Sequence, residues 1–347
     1  MRSTETTVLG LDVGGTSSRA VLTDLSGRAL GSGEAAGGNP NSHPPERAAE
    51  QVALAARAAL SGADPRAVRV GVLGMAGVSK MADAEVTALF ERAWSSLGLS
   101  CPMRVVSDSE VAFAAGTPSS AGTVLIAGTG SIAGRVEQHR LVTTAGGYGW
   151  LLGDEGSAFW LGREAVRRAL RDLAGTPDAL TSRVLDELLD DRGGGSSDGG
   201  NSPGGDTTGG DTTGGDTAGG AEDLRNRVIS AVNAAPPIQL AELAPLVTAA
   251  ARSDIASAVD IVERAARLLA DTAEETRRTG ERSPIVLAGS LTTGGNPVGT
   301  ALRAELAERG HPEPRAAGPG APGAAWLAAR ELLDEEPAAR LHAQMFS

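Results

Sequence analysis

Short apolar runs that end in glycine-rich turns open the chain. Val8–Leu11 is apolar, the turn Asp12–Thr16 follows, and a second strand pattern covers Arg19–Asp24. The same order returns with an apolar run at Thr123–Ala127, a glycine turn at Gly128–Ser131 and another strand. Apolar runs of this length, bounded by glycine, are typical of strands. Two copies of one strand–turn–strand unit predict two similar half-domains that face each other.

Periodicity predicts the remaining elements, which are mostly helices. Helices are expected at about 45–60, 83–97, 157–173, 178–189, 221–232, 240–251, 254–279, 297–309 and 323–333. Further strands are expected at 69–75 and 284–288, and another strand is expected to end at 105–106. Strands that alternate with helices predict an α/β fold. We expect an N-terminal domain over 1–117 and a C-terminal domain over 118–347 with helical additions. A further possibility is that the last helix of the chain packs against the N-terminal domain.

One segment, 193–220, has a different composition from the rest. It repeats Gly-Gly-Asp-Thr-Thr twice and then Gly-Gly-Asp-Thr-Ala. The evenly spaced Asp206, Asp211 and Asp216 are compatible with calcium binding. Such a sequence has too little apolar surface to offset its ordering entropy, so a flexible surface insertion is the favoured interpretation.

Charge and cysteine content narrow the function. The formal net charge is −12, which disfavours sequence-independent binding to nucleic acid. Cys101 is the only cysteine, so cysteine-cluster metal sites and internal disulfides are excluded and a reducing cytoplasm is expected. Neither a membrane-spanning run nor a signal-peptide hydrophobic region is found. We therefore expect a cytoplasmic protein that binds neither nucleic acid nor membrane.

The lysine content excludes two common ways to bind ATP. Lys80 is the only lysine, and it lies in Gly77-Val78-Ser79-Lys80-Met81. This context matches neither a P-loop nor the glycine-rich loop and lysine of protein kinases. If the chain binds ATP, backbone amides, hydroxyls and a metal ion must hold the phosphates.

The two glycine turns are the first candidates for that task. Glycines let backbone N–H groups approach phosphate closely, and Asp12, at the end of a strand, is able to hold Mg²⁺ through water. A plain hairpin turn is the alternative for the first turn. The second turn also matches the Rossmann pattern G-x-G-x-x-A, but a strand rather than a helix follows it, so a phosphate-binding hairpin fits better.

Two further motifs carry candidate chemistry. Asp108 follows a strand and precedes a helix, so it is either an N-cap, a base for a substrate hydroxyl, or both. The stretch 146–157 mixes aromatic residues with glycines and acids, a composition that suits the apolar faces and hydroxyls of a sugar. The alternative is that Asp154 and Glu155 only begin the helix that starts at Ser157.

Three motifs, in their order and spacing, resemble those of the N-acetylglucosamine kinase family. They are Asp12-Val13-Gly14-Gly15-Thr16, Gly128-Thr129-Gly130-Ser131 and Gly153-Asp154-Glu155-Gly156-Ser157. That family belongs to the BadF/BadG/BcrA/BcrD-type ATPases of the actin/hexokinase superfamily. The resemblance implies an actin-like ATPase fold, with two RNase H-like domains and a cleft between them. It also implies ATP and Mg²⁺ as cofactors, a sugar as substrate, and a homodimer.

The resemblance assigns a role to each motif. Asp108 would be the catalytic base, and Asp12 would hold Mg²⁺ through water. The implied nucleotide-binding residues are Asp12, Gly14, Gly15, Thr16, Gly128, Thr129, Gly130, Gly289 and Ser290, with 320–324 at the nucleotide end of the cleft. The implied sugar-binding residues are Asn39, Asp108, Ser131, Gly147, Tyr148, Gly149, Trp150 and Asp154.

The implied activity is ATP-dependent phosphorylation of the 6-hydroxyl of an amino sugar, with N-acetylglucosamine as the favoured acceptor. Ile132 stands where some family members have Asn, and Tyr148 where the family often has Trp. Another hexose, such as glucosamine, glucose or N-acetylmuramic acid, is therefore an alternative acceptor. A sugar-sensing protein without catalysis is a second alternative.

Overall fold

The first half of the protein is built on a five-stranded sheet. The computed structural model describes residues 6–173, 175–190 and 216–346. The strands are β1 (Thr7–Val13), β2 (Ser17–Asp24), β3 (Ala29–Ala36), β4 (Val68–Met75) and β5 (Met103–Ser107), in the spatial order β3-β2-β1-β4-β5. The first three strands are antiparallel neighbours, whereas β4 and β5 run parallel to β1. The carboxyl ends of β1, β4 and β5 therefore lie along one edge of the sheet.

The second half repeats this arrangement. Its strands are β6 (Gly122–Ala127), β7 (Ser131–Glu137), β8 (Arg140–Gly146), β9 (Ile285–Ala288) and β10 (Arg315–Ala316), in the order β10-β9-β6-β7-β8. Strands β6, β7 and β8 form the antiparallel part, and β9 and β10 run parallel to β6. The two strand–turn–strand units predicted from glycine spacing are the first two strands of these sheets.

Helices cover the sheets and close the cores. They are α1 (Pro45–Ala59), α2 (Ala84–Ser96), α3 (Asp108–Gly116), α4 (Gly149–Leu152), α5 (Ala158–Asp172), α6 (Ala179–Asp190), α7 (Asp216–Ala234), α8 (Ala244–Arg252), α9 (Ala256–Glu275), α10 (Pro297–Glu308), α11 (Gly320–Ala329) and α12 (Glu335–Met345). Short 3₁₀ segments occur at Pro65–Ala67, Val78–Ala82 and Pro237–Leu243. In the described ranges, no helix is long and apolar enough to cross a membrane.

Helix α3 lies between the two sheets. Val111 and Ala114 on this helix are buried in a cluster with residues of the first sheet, whereas Phe113 is buried with Val124 and Val286 of the second. Apolar side chains on several faces therefore bind the short helix to both halves. The N-terminus of α3 is held where the halves meet.

Helix α11 returns from the second half to cover β1. It is rich in alanine and glycine, so its backbone approaches the strand very closely. A methyl group at Gly10 would lie 2.2 Å from the backbone nitrogen of Ala325 and 2.3 Å from the carbonyl oxygen of Ala321. The indole of Trp326 is fully buried on the same helix and donates a 2.8 Å hydrogen bond to the Ala338 carbonyl of α12.

Several elements differ from those expected from the pattern. Strands β3 and β8 lie at sheet edges, where half of the side chains face solvent and leave no apolar run. The long helix α9 begins at Ala256 and ends at Glu275, a shorter span than expected. The part of the expected 193–220 insertion that covers 193–215, with Asp206 and Asp211, lies outside the described residues. Residues 216–220 are helical instead, since they extend α7 toward its N-terminus.

Candidate active site

Two aspartates lie at the carboxyl edge of the first sheet. Asp12 in β1 pairs with Gly74 of β4, and Gly74 pairs with Val106 of β5. Asp108 comes two residues after Val106. Neighbouring strands lie roughly 4.8 Å apart, so these side chains reach the same end of the sheet within about two strand spacings. Ligands of open α/β sheets bind at this edge.

Asp108 is the first residue of α3 and does not cap it. The N-cap is Ser107, whose hydroxyl accepts from the Glu110 amide, while the Glu110 carboxylate accepts from the Ser107 amide. This capping box leaves the Asp108 carboxylate available, and its Oδ1 accepts a 2.8 Å hydrogen bond from the Ser109 amide. Burial raises the pKa of Asp108, and the Ser109 hydrogen bonds partly oppose this rise. A carboxylate with a raised pKa is a better proton acceptor at neutral pH.

Glu110 also ties this helix end to the second half. Its Oε1 accepts a hydrogen bond of 3.2 Å from the Leu141 amide in β8. The carboxylate is buried, and it bridges the Ser107 amide and the opposite half. The orientation of Asp108 is therefore coupled to the β7–β8 hairpin.

Asp12 shares the electrostatic environment of Asp108. Burial raises the pKa of Asp12, the nearby Asp108 charge raises it further, and Arg19 lowers it. The carboxylate lies against the first residue of α11, because a methyl group on Gly320 would stand 2.2 Å from Asp12 Oδ2. Two neighbouring carboxylates favour a bound cation, while the N-terminus of α11 favours the ionised form of Asp12.

The first glycine turn is open to solvent. Gly15 and Thr16 are exposed, and the Gly14 amide donates to the Ser17 carbonyl at 2.9 Å. The Gly15 carbonyl oxygen lies 2.7 Å from His43 Nε2. A methyl group at Gly37 would lie 2.0 Å from that same carbonyl oxygen. The turn thus presents backbone groups and the Thr16 hydroxyl to an incoming ligand.

The second glycine turn is firmly held by the N-terminal end of α5. The Ala158 and Phe159 amides donate to the Gly128 and Thr129 carbonyls at 2.8 and 3.2 Å. The Ser131 hydroxyl donates to the Glu155 carbonyl at 2.8 Å. Ser157 is the N-cap of α5, and its hydroxyl accepts from the Trp160 amide.

Asp154 holds this second turn through a hydrogen bond. It is 8% exposed, has a positive φ of 56°, and its Oδ1 accepts from the Ser131 amide at 3.1 Å. A methyl group at Gly130 would lie 2.7 Å from the same oxygen, so any larger residue there would displace the Asp154 carboxylate. Asp154 therefore does more than begin α5. Within the described residues, only one of its carboxylate oxygens takes part in a hydrogen bond.

A cavity of about 590 Å³ lies beside the second turn. Thr129 and Ser290 stand on one side of it. Its other lining residues are Ala158, Ile238, Gln239, Ala241, Glu242, Ala244, Pro245, Thr248, Leu291 and Asn296. Gly289, with φ of 92°, packs on the Ala127 backbone and directs the chain into this wall. The size and the largely apolar lining suit an adenosine group.

The wall formed by 238–248 was not predicted from the sequence. It combines a 3₁₀ segment with α8, and its apolar residues carry only a helical pattern. Nothing local distinguishes a helix that faces a cavity from one that faces a core, so the sequence held no signal for it.

The aromatic loop stands largely in solvent. Gly147 and Gly149 have φ of 70° and 76°, which glycine tolerates and other residues rarely do. Tyr148 is 63% exposed, and the Trp150 ring lies 6.0 Å from that of Phe159. Ile132 lies beneath the loop, where a methyl group on Gly147 would meet its Cδ1 at 2.6 Å.

Asn39 is buried and already hydrogen-bonded. Its Nδ2 donates to the Ala76 carbonyl at 2.9 Å, and its Oδ1 accepts from the Asn41 amide at 2.9 Å. The side chain joins the segment after β3 to the segment after β4, at the same edge as Asp12. Its contact with a ligand would use the remaining amide hydrogen or lone pair.

The structure brings the expected residues together in groups. Asp12 and Asp108 form one group, and the second turn with Asp154 and Ser290 forms another. In the described parts of the chain, no hydrogen bond joins Asp12 or Asp108 to Thr129, and the two groups belong to different sheets. Residues 320–324 belong to the first half: Gly320 contacts Asp12, and Ala321 and Ala324 are buried against the first sheet. These alanines therefore do not line the cavity beside the second turn, because α11 packs on β1.

A family match covers most of the chain. The BadF/BadG/BcrA/BcrD ATPase family matches residues 9–328. The chain belongs to this family.

Two curated relatives match in part. An N-acetylmuramic acid/N-acetylglucosamine kinase of Clostridium acetobutylicum is 36% identical over 119 residues, which are 33% of this chain and 38% of the relative. An N-acetyl-D-glucosamine kinase of Dictyostelium discoideum is 30% identical over 194 residues, which are 52% of this chain and 60% of the relative. The matched stretches thus span less than two thirds of either relative.

A solved structure extends the likeness to nearly the whole chain. The crystal structure of a proposed N-acetylglucosamine kinase from Chromobacterium violaceum has a TM-score of 0.65 and 24% identity, and the match covers 94% of this chain and 99% of that chain. Together with the family match, this likeness confirms the expected actin-like ATPase fold with two RNase H-like halves. At this identity it concerns the fold alone.

Proposed function

We propose that the protein transfers the γ-phosphoryl group of ATP to the 6-hydroxyl of an amino sugar, with N-acetylglucosamine as the favoured acceptor. The observation that carries the proposal is the position of Asp108 near Asp12 at the carboxyl edge of the first sheet. Burial raises the pKa of both carboxyl groups there. Membership of an ATPase family and the names of the two curated relatives support it.

In this proposal ATP lies across both glycine turns. Its adenosine group occupies the cavity between Ser290 and the 238–248 wall, and its phosphates accept from the backbone amides of 14–16 and 128–130 and from the hydroxyls of Thr16 and Thr129. These donors are neutral, and those of the second turn are fixed in position, which suits a transition state whose charge is spread over phosphoryl oxygens.

Mg²⁺ fits the residues at this edge. Asp12 offers a carboxylate beside a second one, and Mg²⁺ prefers oxygen ligands and keeps several waters. In this proposal Asp12, water and phosphate oxygens would share the ion, because the described residues contain no group of three or more acidic, histidine or cysteine side chains to hold it. When bound, the ion supplies positive charge to the phosphates.

Asp108 is the proposed catalytic base. It would accept the proton of the sugar hydroxyl, and the capping box of Ser107 and Glu110 would hold it in place. Asn39, Ser131, Asp154 and the loop 147–150 would bind the sugar, with the second oxygen of Asp154 accepting from a hydroxyl. Tyr148 and Trp150 would cover an apolar face of the ring. Closure of the two halves would exclude water, which otherwise competes as acceptor.

The test is a coupled assay of ADP release over a panel of hexoses and amino sugars. We expect release that depends on one sugar of the panel, and a loss of at least about 10³-fold in kcat for Asp108→Asn with ATP and sugar still bound in calorimetry. Asp186→Asn, an exposed acid on α6, is the matched control and should behave as the parent protein. Sugar-independent ADP release, or near-normal kcat in Asp108→Asn, would contradict the proposal.

The same panel decides between acceptors. Ile132 forms an apolar floor under the aromatic loop, and the Clostridium relative is named for N-acetylmuramic acid as well. Glucosamine, glucose and N-acetylmuramic acid are therefore the alternatives to include. Sugar binding without any turnover would favour a sensing role. We also propose a homodimer, which light scattering on the full chain would test.

A further inference from the structure

A second large cavity lies away from the candidate active site. It has a volume of about 750 Å³ and lies between the loop 117–120 after α3, the β7–β8 turn and the segment that joins α11 to α12. The β7–β8 turn is at the opposite end of β7 from Ser131. Seven residues of strand span roughly 20 Å, so the cavity is well separated from the phosphate-binding edge.

Two arginines without carboxylate partners line this cavity. The guanidinium group of Arg330 makes no hydrogen bond or ion pair in the described part of the chain, and burial lowers its pKa, with Arg104 lowering it further. Arg315 donates to a neutral group, the Thr117 hydroxyl, at 3.0 Å. In a chain with 43 acidic and 31 basic residues, guanidinium groups normally find carboxylates. Among the described residues, neither of these two has a carboxylate partner, and both line the same cavity.

The acidic groups nearby do not neutralise the cavity. Glu335 is the acid among its lining residues, and it is exposed at the start of α12. Glu331 lies 3.1 Å from Arg104, and its charge also raises the pKa of Arg330, so it offsets only part of the positive charge of these two arginines. Arg140 adds another positive charge near Arg330. The local balance is therefore positive, opposite to that of the whole molecule.

His139 supplies a third polar group in the wall. It occupies the left-handed region with φ of 58°, its amide donates to the Ser120 carbonyl at 2.9 Å, and its ring lies 5.4 Å from that of Trp326. Its Nδ1 is buried without a hydrogen-bond partner among the described residues. Buried polar atoms normally have partners, so an unsatisfied nitrogen remains in this wall.

From these features we propose that the cavity binds the oxyanion group of a small molecule, either a phosphate ester or a carboxylate. Arg315 and Arg330 would bind its oxygens through their forked N–H groups, and His139 would contact it from the wall. Arginine is suited to this task because its planar fork matches both phosphate and carboxylate. The site is distinct from the glycine turns, which hold phosphate through backbone amides.

His139 also provides a local readout. Burial, then Arg330 and Arg104, lowers its pKa to about 4. An anion placed between the ring and the arginines would favour the protonated form and raise that pKa. The chain has four histidines, so the ring resonances are few, and His139→Gln assigns the relevant one.

The experiment is a titration of the full chain with inorganic phosphate and, separately, with citrate, followed by the His139 ring resonance at pH 7 and by calorimetry. We expect saturable binding of at least one probe that shifts this resonance. Arg330→Gln should weaken it about tenfold or more, whereas Arg330→Lys should retain part of it. The tighter probe identifies the class, phosphate or carboxylate. Arg57→Gln, an exposed arginine of α1, is the control and should bind as the parent does.

Two results would overturn the proposal. One is the absence of a shift at His139 with either probe at tens of millimolar. The other is binding of equal strength in folded Arg330→Gln, as judged by an unchanged thermal transition. Because the readout is at His139 and not turnover, failure of the proposed kinase activity would leave this test intact.

Discussion

Gly320 is the position where one added methyl group tests the role of Asp12. In Gly320→Ala, the new Cβ would stand 2.2 Å from Asp12 Oδ2 and 2.4 Å from Asp12 Cγ. Ordinary contacts between these atoms are over 3 Å, so the carboxylate must move by about 1 Å. The obstacle is a side chain that is able to rotate, and Gly320 has no left-handed φ that alanine would resist. The fold should therefore survive while Asp12 is displaced.

The expected effect is on catalysis rather than on stability. A displacement of about 1 Å at a group that positions phosphate and metal costs on the order of 10²-fold in rate. We expect kcat in the ADP-release assay to fall by about that factor and the Mg²⁺ concentration for half-maximal rate to rise. The thermal transition should change by only a few degrees, as for a substitution below about 1 kcal/mol.

Gly220→Ala is the matched control. Gly220 is also helical and exposed, and a methyl group there would meet nothing within 4 Å. This change should leave kcat unaltered and stabilise the protein by about 0.5–1 kcal/mol. If Gly320→Ala keeps the parent kcat and Mg²⁺ dependence, Asp12 does not act through this position and the metal assignment is wrong.

The remaining predictions concern packing and pH. Gly10→Ala should cost about 3 kcal/mol in urea unfolding, because its methyl group would meet the backbone of α11, which cannot rotate away. Burial raises the pKa of Asp108, so kcat/KM should fall as the pH drops through that raised value. The apparent pKa of this acidic fall in kcat/KM should therefore lie above the usual range of aspartate. An apparent pKa within the usual range would contradict the prediction. Because the pKa of Asp12 is raised, the folded protein binds a proton at this carboxyl group more readily than the unfolded chain does. The free energy of unfolding should therefore decrease as the pH rises from the ordinary pKa of 3.8 to the raised pKa. Asp12→Asn should remove this dependence and raise Tm at pH 7 in the absence of metal, and an unchanged Tm would refute that reasoning.

The sequence was sufficient for the parts of the fold that glycine marks. Strands β1, β2, β6 and β7 are apolar and end in glycine turns, so their pairing in two similar units was predictable. Edge strands β3 and β8 were not, since a strand with solvent on one side and no further neighbour needs no apolar run. The small residues of α11 have a packing role that no local motif indicates, since they allow the helix to approach Gly10.

The candidate site shows the same division between local and long-range information. Asp12, Asp108 and both turns were found from local motifs. The distinction between a cap and a free carboxylate at Asp108 depends on Ser107 and Glu110, whose spacing of three residues is that of a capping box. The pairing of Asp12 with Asp108 and the wall at 238–248 depend on strand register and helix packing across long stretches of chain. Single-sequence reasoning has no access to such contacts.

The two glycine turns are similar in sequence but differ in how they are held. Amides of α5 bind the carbonyls of Gly128 and Thr129, and Asp154 binds Ser131, so the second turn is fixed in the absence of nucleotide. The first turn leaves Gly15 and Thr16 exposed. Donors that are already fixed lose little entropy on binding phosphate, whereas exposed ones lose more. In the proposed kinase the second turn would therefore provide most of the affinity for the nucleotide, and the first turn would be ordered mainly as the halves close. Because Asp12 precedes the first turn directly, the carboxylate proposed for the metal would be brought to the phosphates by that closure, when Asp108 also meets the acceptor.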